Sequence, residues 1–265
     1  MNGVNGAAGF DLSGRVALVT GGSRGLGQSI VLSLAHAGAD VLIVSRKLES
    51  CRAVAKQVAR ETGRRAVPYS CHVGRWEEVD ELAKFAYDEF GRIDVLVNNA
   101  GMSPLYDEVQ SVSEELWRKV MDVNLTGPFR LTALIGSRMA AGGGGGSIIN
   151  VSSVAALHPS SAEIPYAAAK AGLNAITIGF ARALGPTVRV NCIVAGTFLT
   201  DIADSWDMNA FNRQARNFAL QRGGDPGEIA GAALFLAGDA SSYTTGALLR
   251  VDGGYLEPAA TGRGS

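Results

Sequence analysis

The sequence predicts a single α/β domain in which a doubly wound parallel sheet carries helices on both of its faces. Apolar runs of strand length recur along the chain, and the segments between the first five runs carry apolar residues at the helical interval of three and four. Continuous Val, Ile and Leu runs that alternate with helices indicate parallel strands buried on both faces. No repeat or linker interrupts this rhythm, so we expect one domain.

Seven apolar runs are the candidate strands. In chain order they are residues 15–20, 40–45, 65–70, 93–98, 147–152, 188–194 and 247–252. Gly38, Gly63 and Gly91 lie near the ends of the first three intervening helices, where glycine adopts a left-handed cap at little cost. The five glycines at 142–146 are interpreted as a flexible connector rather than a catalytic element.

The domain is expected to span residues 12–254, with a disordered lead-in at 1–11 and a C-terminal tail at 255–265. The alternation of strands and helices is interrupted at residues 197–221. We call these residues the lid segment, because a long irregular segment of this kind often covers a site. Four large apolar side chains stand among its polar residues: Phe198, Trp206, Met208 and Phe211. They suggest an apolar ligand, or they pack the segment down or line an interface.

Composition and charge exclude several classes of function. The formal net charge is −1, which gives no electrostatic reason to bind nucleic acid or an anionic membrane. The sequence has neither an apolar run long enough to span a bilayer nor a secretory signal, so we expect a cytoplasmic protein. The three cysteines are far apart and share no ligand spacing with the three histidines, which predicts free thiols and no metal site.

A glycine-rich turn, TGGSRGLG at residues 20–27, joins the first strand to the first helix. Its glycines permit a sharp turn, close approach of a pyrophosphate and access to the N–H groups of the helix N-terminus. The spacing G-x-x-x-G-x-G differs from the G-x-G-x-x-G fingerprint, and an ordinary loop is the alternative, but the strand–turn–helix context favours a nucleotide. The expected contacts are Gly21, Ser23, Arg24, Gly25, Leu26 and Gly27.

The end of the second strand favours NADP(H) over NAD(H). An NAD site usually has Asp or Glu there to hold the ribose 2′-hydroxyl, whereas this strand ends in Ser45, Arg46 and Lys47. Ser45 can donate a hydrogen bond to a 2′-phosphate, Arg46 can pair with it, and Arg24 adds a second cation. The alternative is that Arg46 and Lys47 form the solvated start of a helix.

Tyr166 and Lys170 form a candidate acid–base pair. Their spacing puts both side chains on one face of a helix that follows Pro165. We expect the ammonium to lower the pKa of the phenol from about 10 toward the working pH. Such a tyrosine gives a proton to a carbonyl oxygen, or takes one from an alcohol, while hydride moves at carbon.

Further polar residues end the fourth and fifth strands at the same edge of the sheet, where open α/β folds bind ligands. Ser152 and Ser153 end the fifth strand, and a hydroxyl there could donate to a substrate oxygen. The alternative is a serine pair that caps a turn. The segment 98–101, Asn-Asn-Ala-Gly, ends the fourth strand, and Asn124 lies in an apolar helical stretch that suggests a buried hydrogen-bonding role.

Taken together, these motifs resemble the short-chain dehydrogenase/reductase family, from about Leu12 to Gly254. The residues that carry the resemblance are TGGSRGLG at 20–27, NNAG at 98–101, Asn124, NVSS at 150–153, YAAAK at 166–170 and VDGG at 251–254. The general look is that of NADP-preferring 3-oxoacyl-carrier-protein reductases and related alcohol dehydrogenases. The resemblance implies a Rossmann-type sheet of seven strands and a homotetramer or homodimer.

The resemblance also implies a catalytic tetrad of Asn124, Ser153, Tyr166 and Lys170. In that scheme Tyr166 is the general acid and base, Lys170 also binds the nicotinamide ribose, and Ser153 orients the carbonyl. Asn124 holds a water in a proton relay. Ser153 is preferred to Ser152 because it lies 13 residues before the tyrosine, the commonest spacing in the family.

Further cofactor contacts are implied at Asn99, Ala100, Gly101, Gly196, Thr197 and Leu199. Two motifs depart from the family pattern: His72-Val73 replaces Asp-Val after the third strand, and Ala195-Gly196 replaces Pro-Gly after the sixth. The imidazole of His72 would then pack against the adenine beside Val73.

The function expected from these residues is NADP(H)-dependent interconversion of a carbonyl and a secondary alcohol on a small-molecule or acyl-chain substrate. Two alternatives remain open. One is a non-catalytic nucleotide-sensing protein on the same fold. The other is reduction of a C=C bond, which would not require Ser153. Residues 102–106, residues 154–164 and the lid segment are expected to form the walls of the substrate pocket.

Overall fold

The computed structural model describes residues 8–255, apart from residues 202, 204 and 205. Residues 1–7 of the expected lead-in and residues 256–265 of the expected tail lie outside the described residues. Within the described part, Ala8–Phe10 of the lead-in form a 3-10 helix instead of the expected disorder, and Tyr255 of the tail packs against Phe218. The described part contains seven strands: β1 Val16–Thr20, β2 Asp40–Ser45, β3 Ala66–Ser70, β4 Val95–Asn98, β5 Gly146–Ser153, β6 Val188–Ala195 and β7 Leu248–Val251. Every neighbouring pair is parallel, in the order β3-β2-β1-β4-β5-β6-β7, which confirms the predicted sheet.

Eight α-helices are found in this part of the chain: α1 Gly25–His36, α2 Leu48–Thr62, α3 Trp76–Phe90, α4 Glu114–Met121, α5 Gly127–Ala141, α6 Ile164–Leu184, α7 Met208–Ala215 and α8 Ala230–Ala237. Gly63 and Gly91 close α2 and α3 in the left-handed region, with φ of 67° and 71°, as their positions predict. None of the described helices combines the length and the apolar character that crossing a membrane requires.

Two apolar cores cover the two faces of the sheet. On one face, α1, α2 and α8 pack against side chains such as Ala17 and Val19 of β1. On the other face, α3, α5 and α6 pack against side chains such as Leu18 of the same strand. Successive residues of a strand point to opposite faces, so a continuous apolar run feeds both cores.

The direction in which strands are added reverses between β1 and β4, which are neighbours in the sheet. The loops after these two strands diverge to opposite sides and leave a crevice at the carboxyl edge, the usual ligand site of an open α/β sheet. The predicted site residues at the ends of β1, β2, β4 and β5 therefore meet at one edge.

Candidate active site

Two adjoining cavities occupy this crevice. The outer cavity, of about 440 Å³, includes ten predicted site residues in its lining: Gly21, Ser23, Arg24, Ser45, Arg46, Lys47, His72, Val73, Ala100 and Gly101. The inner cavity, of about 300 Å³, is bordered by the glycine turn and by Asn99, Ser153, Tyr166, Lys170 and Gly196. The structure thus brings most of the predicted residues to one continuous cleft.

The glycine turn is packed so closely that its glycines cannot be replaced without displacement. A Cβ on Gly27 would lie 2.1 Å from the carbonyl oxygen of Gly21, and a Cβ on Gly21 would lie 2.7 Å from Nδ2 of Asn99. Asn99 Nδ2 in turn donates to the carbonyl oxygens of Thr20 and Gly21, at 3.0 and 3.2 Å. The end of β4 therefore holds the backbone of the turn in place.

The first turn of α1 is open to an anion. Arg24 precedes this helix with an extended backbone, and its side chain does not cap the helix. The backbone N–H groups at a helix N-terminus need partners, and together with the helix dipole they attract negative charge. This end of α1 borders the inner cavity through Gly25, Leu26 and Gly27.

Three polar residues at the end of β2 border the outer cavity. Ser45 Oγ lies 3.0 Å from the sulfur of Cys51 and donates to the carbonyl oxygen of Lys47 at 3.3 Å. Arg46 and Lys47 are exposed, and among the residues described neither forms an ion pair. The charges of Arg46 and Lys47 are therefore free to bind a phosphate. The Ser45 hydroxyl would first have to give up its hydrogen bond to the carbonyl oxygen of Lys47.

His72 lies at the rim of the outer cavity. Its backbone N–H donates to Glu78 Oε2 at 2.6 Å, and its ring nitrogen Nδ1 accepts from the backbone N–H of Gly74 at 3.2 Å. These contacts fix the imidazole beside the cleft, next to Val73.

Tyr166, Lys170 and Ser153 meet at the inner cavity. Lys170 is 3% exposed, and its Nζ lies 5.6 Å from the centroid of the Tyr166 ring and donates to the carbonyl oxygen of Val151 at 2.7 Å. Ser153, at the end of β5, is close enough to the phenol to lower its pKa through a hydrogen bond. Ser152 instead donates to the carbonyl oxygen of Lys170 at 3.2 Å, which commits its hydroxyl to α6.

The expected lowering of the Tyr166 pKa by Lys170 is wrong. Burial raises the pKa of Tyr166 to about 12, because the phenolate loses its hydration, and the hydrogen bond from Ser153 offsets only part of this effect. Burial likewise lowers the pKa of Lys170 to about 8. Desolvation is the largest cause of both pKa shifts, and the spacing of the two residues does not indicate it.

Asn124 lies in a π-helical turn, Asp122–Thr126, that interrupts the otherwise continuous helix formed by α4 and α5. Its Nδ2 donates to the carbonyl oxygens of Val120 and Met102, both at 2.9 Å, and its Oδ1 accepts from the Met102 N–H at 3.2 Å. Turns of this type often mark functional sites. Asn124 is fully buried, and its amide fastens the loop after β4 to the helix.

Asn124 and Lys170 are close to each other on either side of Gly101. A Cβ on Gly101 would lie 2.9 Å from Asn124 Oδ1 and 3.6 Å from Lys170 Nζ. The loop after β4 can therefore pass between them only with a glycine at this position. All four members of the predicted tetrad belong to one cluster.

The described residues of the lid segment are partly helical, and their buried side chains pack partly on the sheet core and partly on one another. Phe198 and Phe211 are buried, whereas Trp206 and Met208 are exposed. The Phe211 ring contacts the rings of Trp206 and Phe218, with centroids 5.6 and 6.5 Å apart. Buried members of the segment thus hold it down, which favours the packing interpretation for Phe198 and Phe211.

Two of the predicted cofactor contacts lie away from both cavities. Leu199 packs against Phe211 and Phe218, and Thr197 borders a separate hollow of about 190 Å³. Asp201, from the same segment, borders both cavities; it lies in a predicted pocket wall but was not among the predicted site residues. No periodicity or motif singled it out.

The wall beside Tyr166 is built from contacts between two loops. Tyr106 Oη donates to the carbonyl oxygen of Ser161 at 2.7 Å and accepts from the N–H of Ile164 at 3.0 Å. Ser103 Oγ donates to Glu163 Oε2 at 3.3 Å. Glu163 likewise lies in a predicted pocket wall but was not among the predicted site residues, although its position three residues before Tyr166 was a usable signal.

Comparison with known proteins is consistent with this geometry. A family model described as enoyl-(acyl carrier protein) reductase matches residues 21–256. The chain is 36% identical to the short chain dehydrogenase/reductase astE of Aspergillus oryzae, over 92% of this chain and 96% of that protein. It is 40% identical to the 3-oxoacyl-[acyl-carrier-protein] reductase FabG of Chlamydia trachomatis, over 92% and 98% of the two chains.

A solved structure shows the same fold. The NADPH-dependent 3-quinuclidinone reductase of Rhodotorula rubra superposes with a TM-score of 0.89 at 30% sequence identity, and the match covers 95% of each chain.

Proposed function

Because this chain belongs to the short-chain dehydrogenase/reductase family, we propose that it is an NADP(H)-dependent oxidoreductase that interconverts a carbonyl and a secondary alcohol. The observation that carries the proposal is the cluster of Ser153, Tyr166 and Lys170 beside the glycine turn, in one cleft. The nicotinamide, when bound, supplies or accepts the hydride. The residues of the chain position the reacting carbon and move the proton.

The cleft fits a dinucleotide that carries a 2′-phosphate. The glycine turn leaves no room for a Cβ at Gly21 or Gly27, and the open end of α1 offers N–H groups to a pyrophosphate. Arg46 and Lys47 face the outer cavity without ion-pair partners in the described residues, and no Asp or Glu ends β2. These features support NADP(H), as does the cofactor named for the quinuclidinone reductase.

Tyr166 is the proposed proton donor in the reductive direction. Its pKa of about 12 keeps the phenol protonated, so that it can donate to the carbonyl oxygen as charge develops there. Ser153, on the adjoining strand end, offers a second hydrogen bond to that oxygen. The Nζ of Lys170 lies beside the ring of Tyr166 and is held there by its hydrogen bond to the carbonyl oxygen of Val151.

Reduction of a C=C bond is the second candidate, and the description of the matching family model favours it. A serine that donates to the substrate oxygen serves carbonyl chemistry directly, so the place of Ser153 at the cavity supports C–O chemistry. The similarity to a 3-oxoacyl reductase supports an acyl-chain substrate, and that to a quinuclidinone reductase supports a small ketone. The homotetramer or homodimer and the cytoplasmic location remain predictions.

The test is a comparison of wild type with Tyr166→Phe, with Tyr243→Phe as control because Tyr243 is fully exposed. NADPH and NADH are titrated by fluorescence, and NADPH consumption is followed with ketones and with enones. We expect tighter binding of NADPH, ketone reduction by wild type, and a loss of about 100-fold or more in Tyr166→Phe with NADPH binding retained. Product analysis that finds only the saturated ketone from enones would favour C=C reduction. NADPH binding without turnover of any substrate would favour the sensor alternative.

A further inference from the structure

Glu163 lies behind the wall of the inner cavity, in contact with Ser103, a residue of that wall. It immediately precedes α6 and lies one helical turn before Tyr166. Its carboxyl does not cap the helix: no side-chain capping hydrogen bond is formed there. Oε2 instead accepts from Ser103, which borders the cavity that holds Ser153, Tyr166 and Lys170. The carboxyl is therefore directed toward the loop after β4, next to the residues that line the site.

The negative charge of Glu163 has no compensating cation. In the described part of the chain, no Lys or Arg forms an ion pair with it, and Oε1 has no hydrogen-bond partner. Burial raises the pKa of Glu163, as expected for a carboxylate that is partly desolvated and unpaired. A half-buried acid with a free oxygen, next to a cavity that holds titratable residues, is a typical feature of a ligand-binding site.

Glu163 is also within electrostatic reach of the reacting atoms. Its charge contributes to the raised pKa of Tyr166, so the carboxylate acts on the phenol that is proposed to hold the substrate oxygen. A charged substituent on a substrate held by Tyr166 and Ser153 would therefore experience the field of this carboxylate.

We propose that Glu163 determines substrate specificity: it selects ketones that carry a protonated amine or a hydroxyl near the carbonyl and disfavours those that carry a carboxylate. The inference rests on the proposed carbonyl chemistry and adds the class of substrate to it. An ammonium would pair with the free Oε1, and a hydroxyl would donate to it. A carboxylate would meet a like charge at low water content, which is costly.

The test uses four methyl ketones of nearly equal size that differ in one terminal group. They are 2-pentanone, 4-hydroxy-2-butanone, 4-amino-2-butanone and acetoacetate. The measured quantity is kcat/KM for each, divided by that for 2-pentanone, with NADPH saturating. In wild type we expect a ratio of about 10 or more for the amine, above 1 for the alcohol and below 1 for acetoacetate.

Three variants separate charge from hydrogen bonding. Glu163→Gln should abolish the preference for the amine and raise the ratio for acetoacetate while keeping part of the preference for the alcohol. Glu163→Leu should abolish the preference for the amine and the preference for the alcohol. Glu163→Asp, which keeps the negative charge, should retain part of the preference for the amine. Glu77→Gln is the matched control, because Glu77 is exposed on α3 and forms no ion pair in the described residues. A purely structural role would change all four substrates in parallel.

The outcomes distinguish this inference from the proposed function. If wild type reduces 2-pentanone but its kcat/KM ratios for the amine and for acetoacetate are near 1, the specificity role of Glu163 is overturned and carbonyl reduction still stands. This outcome does not depend on whether any variant folds. Parallel losses with all four substrates in Glu163→Gln would also overturn it. Failure of wild type to reduce any ketone would refute both.

Discussion

Arg24 of the glycine turn donates a hydrogen bond to Asp201 of the lid segment, with 2.9 Å between Nη1 and Oδ2. Each of the two side chains borders both the outer and the inner cavity, so the ion pair lies where the two cavities adjoin. Both are also well exposed, and such pairs contribute little to folding stability. The main consequence of the pair is that the Asp201 carboxylate binds the Arg24 guanidinium at the place where we propose that the cofactor phosphates bind.

Replacing Asp201 by Asn should therefore strengthen NADPH binding. The substitution frees Arg24 and removes a negative charge beside the phosphates, and for a screened surface charge we expect a gain of about threefold in affinity. Fluorescence titration at low and high salt measures it, and the gain should shrink in high salt. Asp239→Asn, which breaks the exposed pair with Arg15, is the control. Weaker binding in Asp201→Asn would mean that the pair instead stabilises the binding conformation.

Arg46→Asp should reverse the cofactor preference. An acid at the end of β2 repels a 2′-phosphate and can accept from a ribose 2′-hydroxyl, so NADPH affinity should fall by at least tenfold relative to NADH. Arg52→Asp is a suitable control, because Arg52 is an exposed cation on α2 that is paired with Glu49. Equal losses for the two cofactors would remove the role assigned to Arg46.

The fold and the centre of the site were predictable because they depend on local patterns. Strand-length apolar runs and the glycine turn are contiguous in sequence, and parallel topology then brings their carboxyl ends to one edge. The neighbourhood of Tyr166 and Lys170 follows from helical geometry alone. The sequence motifs therefore indicate which side chains meet at this edge, and the assignment of a catalytic tetrad to them stays a prediction.

The features that escaped prediction are contacts between loops distant in sequence. Arg24 and Asp201 are separated by 177 positions, and Ser103 and Glu163 by 60. No periodicity links such pairs, since they depend on how loops pack above the sheet. The predicted direction of the Tyr166 pKa shift is wrong for a related reason. The spacing indicates that a charge is nearby, but it does not indicate how much hydration the phenolate loses when it is buried.

Gly27→Ala should abolish cofactor binding. The added Cβ would lie 2.1 Å from the carbonyl oxygen of Gly21 and 2.5 Å from Asn99 Nδ2, so the glycine turn must move. We expect NADPH affinity to fall by about 100-fold and stability by a few kcal/mol, roughly the cost of overpacking. Gly179→Ala is the control, because a Cβ there meets nothing within 4 Å and α6 gains a better helix former. Unchanged NADPH binding in Gly27→Ala would show that the turn does not hold the cofactor.

The pKa of Lys170 predicts how stability depends on pH. Since the pKa is lowered from 10.5 to about 8, the unfolded chain binds more protons than the folded one between these values, and stability rises with pH through this window. Relative to Lys170→Met, wild type without cofactor should gain about 2 kcal/mol in its free energy of unfolding between about pH 7 and pH 9.5. Urea denaturation of both proteins at the two pH values provides the measurement. A constant difference would mean that the ammonium is not destabilised by burial.

Asn124→Ala should loosen the loop after β4 as well as destabilise the fold. The substitution removes three hydrogen bonds and leaves the Met102 N–H and the carbonyl oxygens of Met102 and Val120 without their partner. Because unsatisfied buried groups are costly, we expect a loss of about 3 kcal/mol in the free energy of unfolding. Asn174→Ala should lose less, because the amide oxygen of Asn174 accepts a weak hydrogen bond from the thiol of Cys192 at 3.5 Å. Hydrogen exchange at Met102 gives a local measure: its amide should lose protection in Asn124→Ala and keep it in Asn174→Ala. Retained protection in both would mean that other contacts hold this loop beside Lys170, and that the π-helical turn is not what positions it.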